Sequence, residues 1–207
     1  MITHFSRFAN RRILNSYHPV WNRNLFSVDY DDWKVYRGMT TPAFSSGKLR
    51  AMNPLIRDCN RRLMAKIESI ENGVITPKEL FTNYSIDITS AIFFATETDA
   101  HADPQSPIVK QCLALADIPA FKSAAVGSLP RPILKMMGIT SAFREGPLAY
   151  TCELLRSMVA RQRKLPIEAQ NDFVRLLIQT EGSGDKAKDF RKLTDDEVIA
   201  QCLVYFR

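Results

Sequence analysis

The chain has 207 residues, of which 45% are hydrophobic and 24% are charged. This composition is that of a globular protein with a sizeable core, and it excludes an intrinsically disordered chain. The formal net charge of +6 and the pI of about 9.2 suit a nucleic acid, an anionic membrane surface or an acidic protein as partner, without choosing among them.

Neither the apolar runs nor the cysteines indicate a special class of protein. The longest apolar runs, around residues 91–95, are too short to span a bilayer. Residues 1–12 lack the apolar core of a signal peptide, so we expect nothing in this stretch to be inserted or exported. The four cysteines contain no CxxC pair, which predicts isolated buried thiols in a reducing compartment rather than a zinc site or a disulfide framework: Cys59, Cys112, Cys152 and Cys202.

The predicted elements are helices separated by proline and glycine, and strand patterns are nearly absent. Apolar residues at steps of three and four, together with acidic helix starts, define most of these helices. The prediction in chain order is a loop over residues 13–27, a helix that begins with acidic residues near 29–32, and further helices over residues 49–70, 76–95, 108–116, 143–164, 172–179 and 194–206.

Several local signals fix the ends of these helices. Gly73 is expected at the C′ position after the helix 49–70. Residues 76–79 (T-P-K-E) and 194–197 (T-D-D-E) both read as capping boxes. The last helix is apolar on nearly every face from residue 198, which predicts that it is buried in the centre of the protein. We therefore expect it to continue past Arg207, so that the chain is a truncated piece of a longer protein.

Two further patterns bear on packing. The helix that opens at residue 76 is expected to bury one face, made of Leu80, Tyr84, Ile88, Ala91, Ile92 and Ala95. The segment 129–137 is apolar and proline-broken, with a cation near each end. That composition fits contact with a membrane interface, and it fits equally an irregular loop that covers a pocket.

One pair of residues is a candidate for ligand binding. Trp33 and Arg37 are four residues apart and therefore project from the same face of a helix. Arginine offers a planar set of donors that matches a carboxylate, and tryptophan offers one N–H beside a broad apolar ring. The pair suits a flat apolar ligand with carboxylate tails, although such a pair by itself is more often a cation–π pair on an ordinary helix.

The surrounding sequence resembles the cytochrome P450 family. W-K-V-Y-R at residues 33–37 and T-P-A-F-S-S-G-K-L at 41–49 are similar to the C-helix motif W-x-x-x-R of microsomal members and the run that follows it. Four more segments resemble the family in the same order: F-A-N-R-R at 8–12, L-F-T-N-Y-S-I-D-I at 80–88, N-D-F-V-R-L-L at 171–177 and L-T-D-D-E-V-I-A-Q-C at 193–202. The closest likeness is to the branch with the vertebrate 3A and insect 6 and 9 families.

The resemblance implies a mainly α, partial P450 fold, from helix C to the start of helix I, as one incomplete domain over residues 1–207. It implies that Trp33, Arg37 and Arg11 bind the propionates of haem b (iron protoporphyrin IX). Phe26, in the loop 13–26, and Val204, on the I helix, fall where the family lines its substrate cavity. The parent protein would be a haem-thiolate monooxygenase that oxidises apolar organic substrates with O₂ and electrons from NADPH.

Partners and location are implied in the same way. The resemblance names NADPH–cytochrome P450 reductase as redox partner, cytochrome b5 as a candidate second one, and the cytosolic face of the endoplasmic reticulum membrane, which residues 130–137 would touch. Lys34, Lys48 and Arg50 are candidates for an acidic reductase face. No nucleic acid is expected, and no feature of the sequence identifies the substrate.

The sequence departs from the family pattern in three places. Ala95 stands where glycine is usual, and Arg207 stands where a bulky apolar residue precedes the oxygen-activating A-G-x-x-T turn. The E-x-x-R motif of the K helix and the cysteine loop F-x-x-G-x-R-x-C-x-G are absent, as are the β-domain and the K and L helices; E-L-L-R at residues 153–156 has the same spacing but lies in the earlier predicted helix 143–164. With no axial thiolate, we expect no catalysis and no metal ligand from this chain alone. The alternatives are a basic all-helical binding module and a non-catalytic truncated product.

Overall fold

In the computed structural model the described residues are 16–71, 73–94, 96–164, 173–180 and 193–205, and within these ranges the regular structure is helical, without strands. The predicted mainly α fold is confirmed. The helices are α1 (Tyr30–Thr40), α2 (Ser46–Glu68), α3 (Pro77–Phe94), α4 (Pro107–Ala116), α5 (Ala120–Ser128), α6 (Arg131–Met136), α7 (Glu145–Lys164), α8 (Phe173–Thr180) and α9 (Asp195–Leu203), with 3-10 turns at Trp21–Arg23 and Thr41–Phe44.

The helix α2 is longer at its start and shorter at its end than the sequence predicts. It begins at Ser46, so that Gly47 lies within its first turn, and it runs through Pro54. Because it ends at Glu68, Gly73 is not its C′ residue. Gly73 instead lies in the connection to α3 with φ of +67°, a left-handed conformation that favours glycine.

The buried face of α3 differs from the prediction. Leu80 and Ala91 are buried as expected, but Tyr84, Ile88 and Ile92 are only partly buried, and Ala95 lies outside the described residues. Polar side chains are buried in their place: Asn83, Asp87 and Ser90. The reason is that α3 packs against α2, α4 and α8, and its Asp87 accepts from the Ala100 N–H of the connection that follows, contacts that the periodicity of apolar residues cannot indicate.

The region 118–137 is helical rather than irregular. The helix α5 is not among the predicted elements, and the apolar segment 129–137 contains α6. Gly138, with φ of +68°, ends α6: its N–H donates to the Lys135 carbonyl, and the Ile139 N–H donates to Leu134 at 2.9 Å. This is a Schellman motif, which satisfies carbonyls at the helix end and closes α6 tightly.

The core lies around α9. Each residue from Glu197 to Leu203 is buried, as the apolar pattern predicted for a central helix. The helix α9 packs mainly against α7, and the arginines of α7 reach its acidic first turn, with Arg163 Nε 2.9 Å from Asp195 and Arg156 Nη2 3.3 Å from Asp196. The predicted capping box is also confirmed, because the Thr194 hydroxyl accepts from the Glu197 N–H while Glu197 accepts from the Thr194 N–H.

Candidate functional site

The helix α1 presents Trp33 and Arg37 one turn apart. Asp31 and Asp32 in its first turn suit the positive end of the helix dipole, which explains why the helix starts at Tyr30. The helix is fixed in the core by its buried residues Tyr36, Met39 and Thr40. Trp33 is half-buried and lies stacked on Tyr30 with ring centroids 6.0 Å apart, whereas Arg37 is exposed. Arg37 is therefore accessible to solvent, and Trp33 is partly so.

A buried hydrogen bond fixes α1 relative to α9. The Tyr36 hydroxyl donates to Glu197 Oε1 at 2.8 Å, and both side chains are buried. The same Glu197 carboxylate accepts from the N–H and the hydroxyl of Thr194, at 2.7 Å and 2.9 Å. The capping residue of the central helix is thus also the anchor of the helix that carries Trp33 and Arg37.

The positive charge of Arg37 reaches the end of α9. Burial raises the pKa of Tyr205 to about 12, with a smaller contribution from Cys202 in the same direction, and the nearby Arg37 cation opposes that shift. Tyr205 stacks on Phe93 at 4.2 Å between ring centroids and meets Phe173 edge-on at 4.6 Å. An aromatic cluster at the end of α9 therefore adjoins the cation of α1, an arrangement that combines an apolar surface with one positive charge.

The loop before α1 is tied to α9. The Gln201 side chain donates to the Arg23 carbonyl at 2.8 Å and accepts from the Leu25 N–H at 3.0 Å. Trp21 meets Phe143 edge-on at 4.6 Å, which packs the same loop against the approach to α7. These contacts place Phe26, which is 54% exposed, beside the start of α1.

The other predicted site residues are less well placed. Val204 follows the last residue of α9 as its C-cap and is half-buried. Arg11 lies outside the described residues. The structure thus places Trp33 and Arg37 one turn apart on α1, with the Arg37 cation near Tyr205 after the end of α9.

The four thiols do not suit an axial iron ligand. All four cysteines are buried and unbridged, as the sequence predicted. Burial raises the pKa of Cys112 to about 12 and that of Cys152 to about 11, and it also raises the pKa of Cys59. A thiol in such surroundings stays protonated, whereas a metal ligand must be a thiolate. Within the described ranges there is also no cluster of three or more His, Cys, Asp or Glu that could hold a metal.

The described residues suit the propionates of a haem better than its iron. An exposed arginine beside a half-buried tryptophan fits the carboxylate tails of a porphyrin. Cys59, Cys112 and Cys152, whose pKa values are raised by burial, do not favour the thiolate that an iron ligand requires.

The helix α6 and its neighbourhood expose apolar side chains among cations. Met136 is 84% exposed, and Met137, Ile133 and, on α5, Phe121 are also exposed. Arg131 and Lys135 flank them on α6. Leu134, in contrast, is fully buried and anchors α6 to the body of the protein. No helix in the described part of the chain is both long and apolar enough to cross a membrane.

The sequence did not indicate that two buried polar residues of α9, Glu197 and Gln201, hold α1 and the loop before it in place. Glu197 was predicted as half of a capping box but not as the acceptor for Tyr36, and Gln201 was read only as part of an apolar helix. The available signal was their presence on a helix that is otherwise apolar on nearly every face, since buried polar groups are nearly always hydrogen-bonded.

A pH effect follows from the loop before α1. Nδ1 of His18 accepts from the N–H groups of Val20 and Trp21 at 3.3 Å and 3.1 Å, and burial lowers the pKa of His18, opposed by the Glu145 carboxylate. The folded state then binds fewer protons than the unfolded chain, whose histidine titrates near about 6.5. The stabilising contribution is complete above that pH and is lost as the pH falls from there towards the lowered folded pKa.

We therefore expect the thermal midpoint to fall on acidification from about pH 7.5 to about pH 5.5, and to fall less in His18→Asn, whose amide oxygen can accept the same bonds without titrating. Differential scanning calorimetry at both pH values measures this. Equal falls in the two proteins would show that His18 is not the responsible group.

Comparison with known proteins identifies the family of the chain. The model of the family described as Cytochrome P450 matches residues 1–207, the whole chain. The chain is 29% identical over 210 residues to "Cytochrome P450 3A9" of Rattus norvegicus and 28% identical over 209 residues to "Cytochrome P450 3A7" of Homo sapiens. Each alignment covers 97% of this chain and 41% of the relative, so the chain spans about two fifths of the length of these proteins. On the match along its full length, the chain belongs to the cytochrome P450 family.

Proposed function

We propose that the chain is the part of a haem-thiolate monooxygenase that grips the haem propionates and helps to line the substrate cavity. The parent enzyme would insert one oxygen atom from O₂ into an apolar organic substrate, using electrons from NADPH. The observation that carries the proposal is the Trp33–Arg37 pair on α1, fixed by the Tyr36–Glu197 bond, in a chain that matches the family throughout.

The roles of the residues follow from their chemistry. Arg37 would donate to a propionate and Trp33 would add one N–H beside an apolar ring, with Arg11 as a second arginine. Bound haem supplies the redox chemistry, and this chain supplies position and charge. Phe26, on the loop that Gln201 ties to α9, and Val204, at the end of α9, would contact the substrate.

Basic and apolar side chains on the surface support the proposed redox partners and the proposed membrane contact. Lys34 and Arg50 are exposed and Lys48 is half-buried, on the first two helices, where they could meet an acidic face of NADPH–cytochrome P450 reductase or cytochrome b5. The exposed Met136 and Met137 beside Lys135 suit the interface of an anionic bilayer. Together these features favour the cytosolic face of the endoplasmic reticulum membrane.

The 207-residue chain by itself is proposed to lack monooxygenase activity. Its four thiols are buried, and burial raises the pKa of Cys59, Cys112 and Cys152, which disfavours the thiolate on which oxygen activation in this family depends. The ferrous–CO complex of the chain with added haem should not show the absorption band typical of thiolate ligation. The appearance of that band would contradict this part of the proposal.

The proposal for the parent is tested by sequencing its transcript past the codon for Arg207. We expect a reading frame that continues into A-G-x-x-T and later into a cysteine loop of the form F-x-x-G-x-R-x-C-x-G. A transcript that ends without them would favour the truncated, non-catalytic product.

A mutation tests the propionate role directly. Arg37→Ala should weaken binding of haemin to the chain about tenfold, because one charge-assisted hydrogen bond is worth about 1.5 kcal/mol. Titration followed by Soret absorbance measures the affinity. Arg50→Ala, which removes an exposed arginine from α2, is the matched control and should leave the affinity unchanged. Equal losses of haemin affinity in both variants would show that Arg37 acts only through the net charge of the chain.

The rival function, a basic binding module, also has a clear test. Affinity for double-stranded DNA that falls steeply with salt would favour it, because each neutralised phosphate releases counterions. We expect only weak binding with a shallow slope.

A further inference from the structure

A cavity of about 180 Å³ lies between the end of α2 and the first half of α3, on residues that the proposed haem and substrate contacts do not use. Its floor contains the buried residues Leu80, Asn83 and His101. The remaining lining residues are half-buried or exposed and surround the opening: Lys66, Ile70, Val74, Ile75, Thr76 and Glu79.

Two buried polar atoms in the floor have no hydrogen-bond partner among the described residues. They are Oδ1 of Asn83 and Nε2 of His101, on side chains that are 5% and 8% exposed. Buried polar atoms are paired in the great majority of cases, so two on one cavity call for an explanation. A ligand in the adjoining cavity supplies one once the amide and the imidazole turn towards it.

The backbone around this floor is firmly held, so the two atoms are not explained by a loose loop. Asp87, which is 2% exposed, accepts from the Thr98 hydroxyl at 2.8 Å and from the Ala100 N–H at 2.9 Å. Arg62 of α2 donates to the Thr98 carbonyl at 2.6 Å. The connection that carries His101 is thus fastened to both α2 and α3 next to the cavity.

The lining specifies the chemistry of an occupant. The opening carries one cation, Lys66, and one anion, Glu79, which leaves it without net charge and favours an uncharged ligand. The aliphatic side chains of Ile70 and Ile75 favour an apolar body. A hydroxyl group fits the floor, since it can donate to the Asn83 oxygen and can donate to or accept from an imidazole nitrogen.

The volume of the cavity limits the size of the ligand that it can hold. A cavity of about 150 Å³ holds benzene, so a cavity slightly larger than that accommodates a single ring with one or two substituents. We propose that this cavity binds an uncharged, hydroxyl-bearing molecule of the size of a phenol, with its hydroxyl paired to Asn83 and His101. Because both floor atoms are out of contact with water, binding includes a small rotation of the amide or the imidazole towards the ligand.

The experiment uses the 207-residue chain and two probes, phenol and benzene. Titrations followed by NMR of the His101 imidazole and by calorimetry should show phenol binding about tenfold more tightly than benzene, as expected for one or two added hydrogen bonds. Phenol should shift the His101 resonances and benzene should shift them less. Equal affinities, or binding that leaves His101 unchanged, would overturn the proposal, as would a cavity that retains only water.

Variants locate the site. Asn83→Leu should reduce phenol affinity to that of benzene, whereas Ser90→Ala should not change it. Ser90 is the matched control, because its buried hydroxyl also has no partner in the part of the chain that the structure describes, and it lies on α3 outside the cavity. Val74→Trp, at a position that is 73% exposed on the rim, should block entry without disturbing the core. Phenol binding that survives Val74→Trp would place the site elsewhere and overturn the proposal, even if Asn83→Leu fails to fold.

Discussion

Glu197→Ala should lower the free energy of unfolding by about 3 kcal/mol, because it removes three hydrogen bonds at once. The Thr194 N–H would lose its cap, and the Tyr36 hydroxyl, on a side chain that is 1% exposed, would be left buried without its acceptor. Chemical denaturation of the 207-residue chain, followed by circular dichroism, measures the change.

A double-mutant cycle isolates the bond between α1 and α9. Tyr36→Phe alone should cost about 2 kcal/mol, since a bond to a charged group is lost while the carboxylate keeps its two contacts with Thr194. The double variant should then be more stable than the sum of the two losses predicts, by about 1–2 kcal/mol. Strict additivity would mean that the Tyr36–Glu197 contact contributes nothing to holding α1.

The functional consequence concerns Arg37. If the Tyr36–Glu197 bond positions α1, Tyr36→Phe should also weaken haemin binding, although Tyr36 points into the core and Arg37 is exposed. Unchanged affinity in a folded Tyr36→Phe variant would confine the bond to a structural role.

Leu155→Ala is expected to cost about 3–4 kcal/mol, the range for a leucine truncated in a core that relaxes only in part. Leu155 of α7 is 0% exposed and belongs to the main hydrophobic cluster, together with Val198 and Leu203 of α9. Since α7 packs mainly against α9, a cavity there removes contacts from the centre of the fold.

Leu49→Ala on α2 is the matched control for Leu155. Leu49 is 49% exposed, so the same chemical change removes little buried surface and should cost less than about 1 kcal/mol. Similar losses at the two positions would show that α7 and α9 do not form the tightly packed centre described above.

Much of the helical layout is determined by the sequence, because its signals are local. Acidic residues begin α1 at Tyr30, the box from Thr194 to Glu197 begins α9, and Pro107 begins α4. Each signal acts within one turn, through a backbone N–H or the helix dipole, so neighbouring residues suffice to read it. The Trp33–Arg37 spacing belongs to the same class, since any helix places residues four apart on one face.

Only the tertiary structure decided which faces are buried and which polar groups meet. The buried side of α3 follows Asn83 and Asp87 rather than Tyr84 and Ile88, because three neighbouring helices surround it and Asp87 holds the connection at Ala100. The Tyr36–Glu197 bond joins residues 161 positions apart, a distance at which no local pattern acts. Burial and long-range pairing depend on how the helices pack, and that packing determines how Arg37 is presented to a ligand.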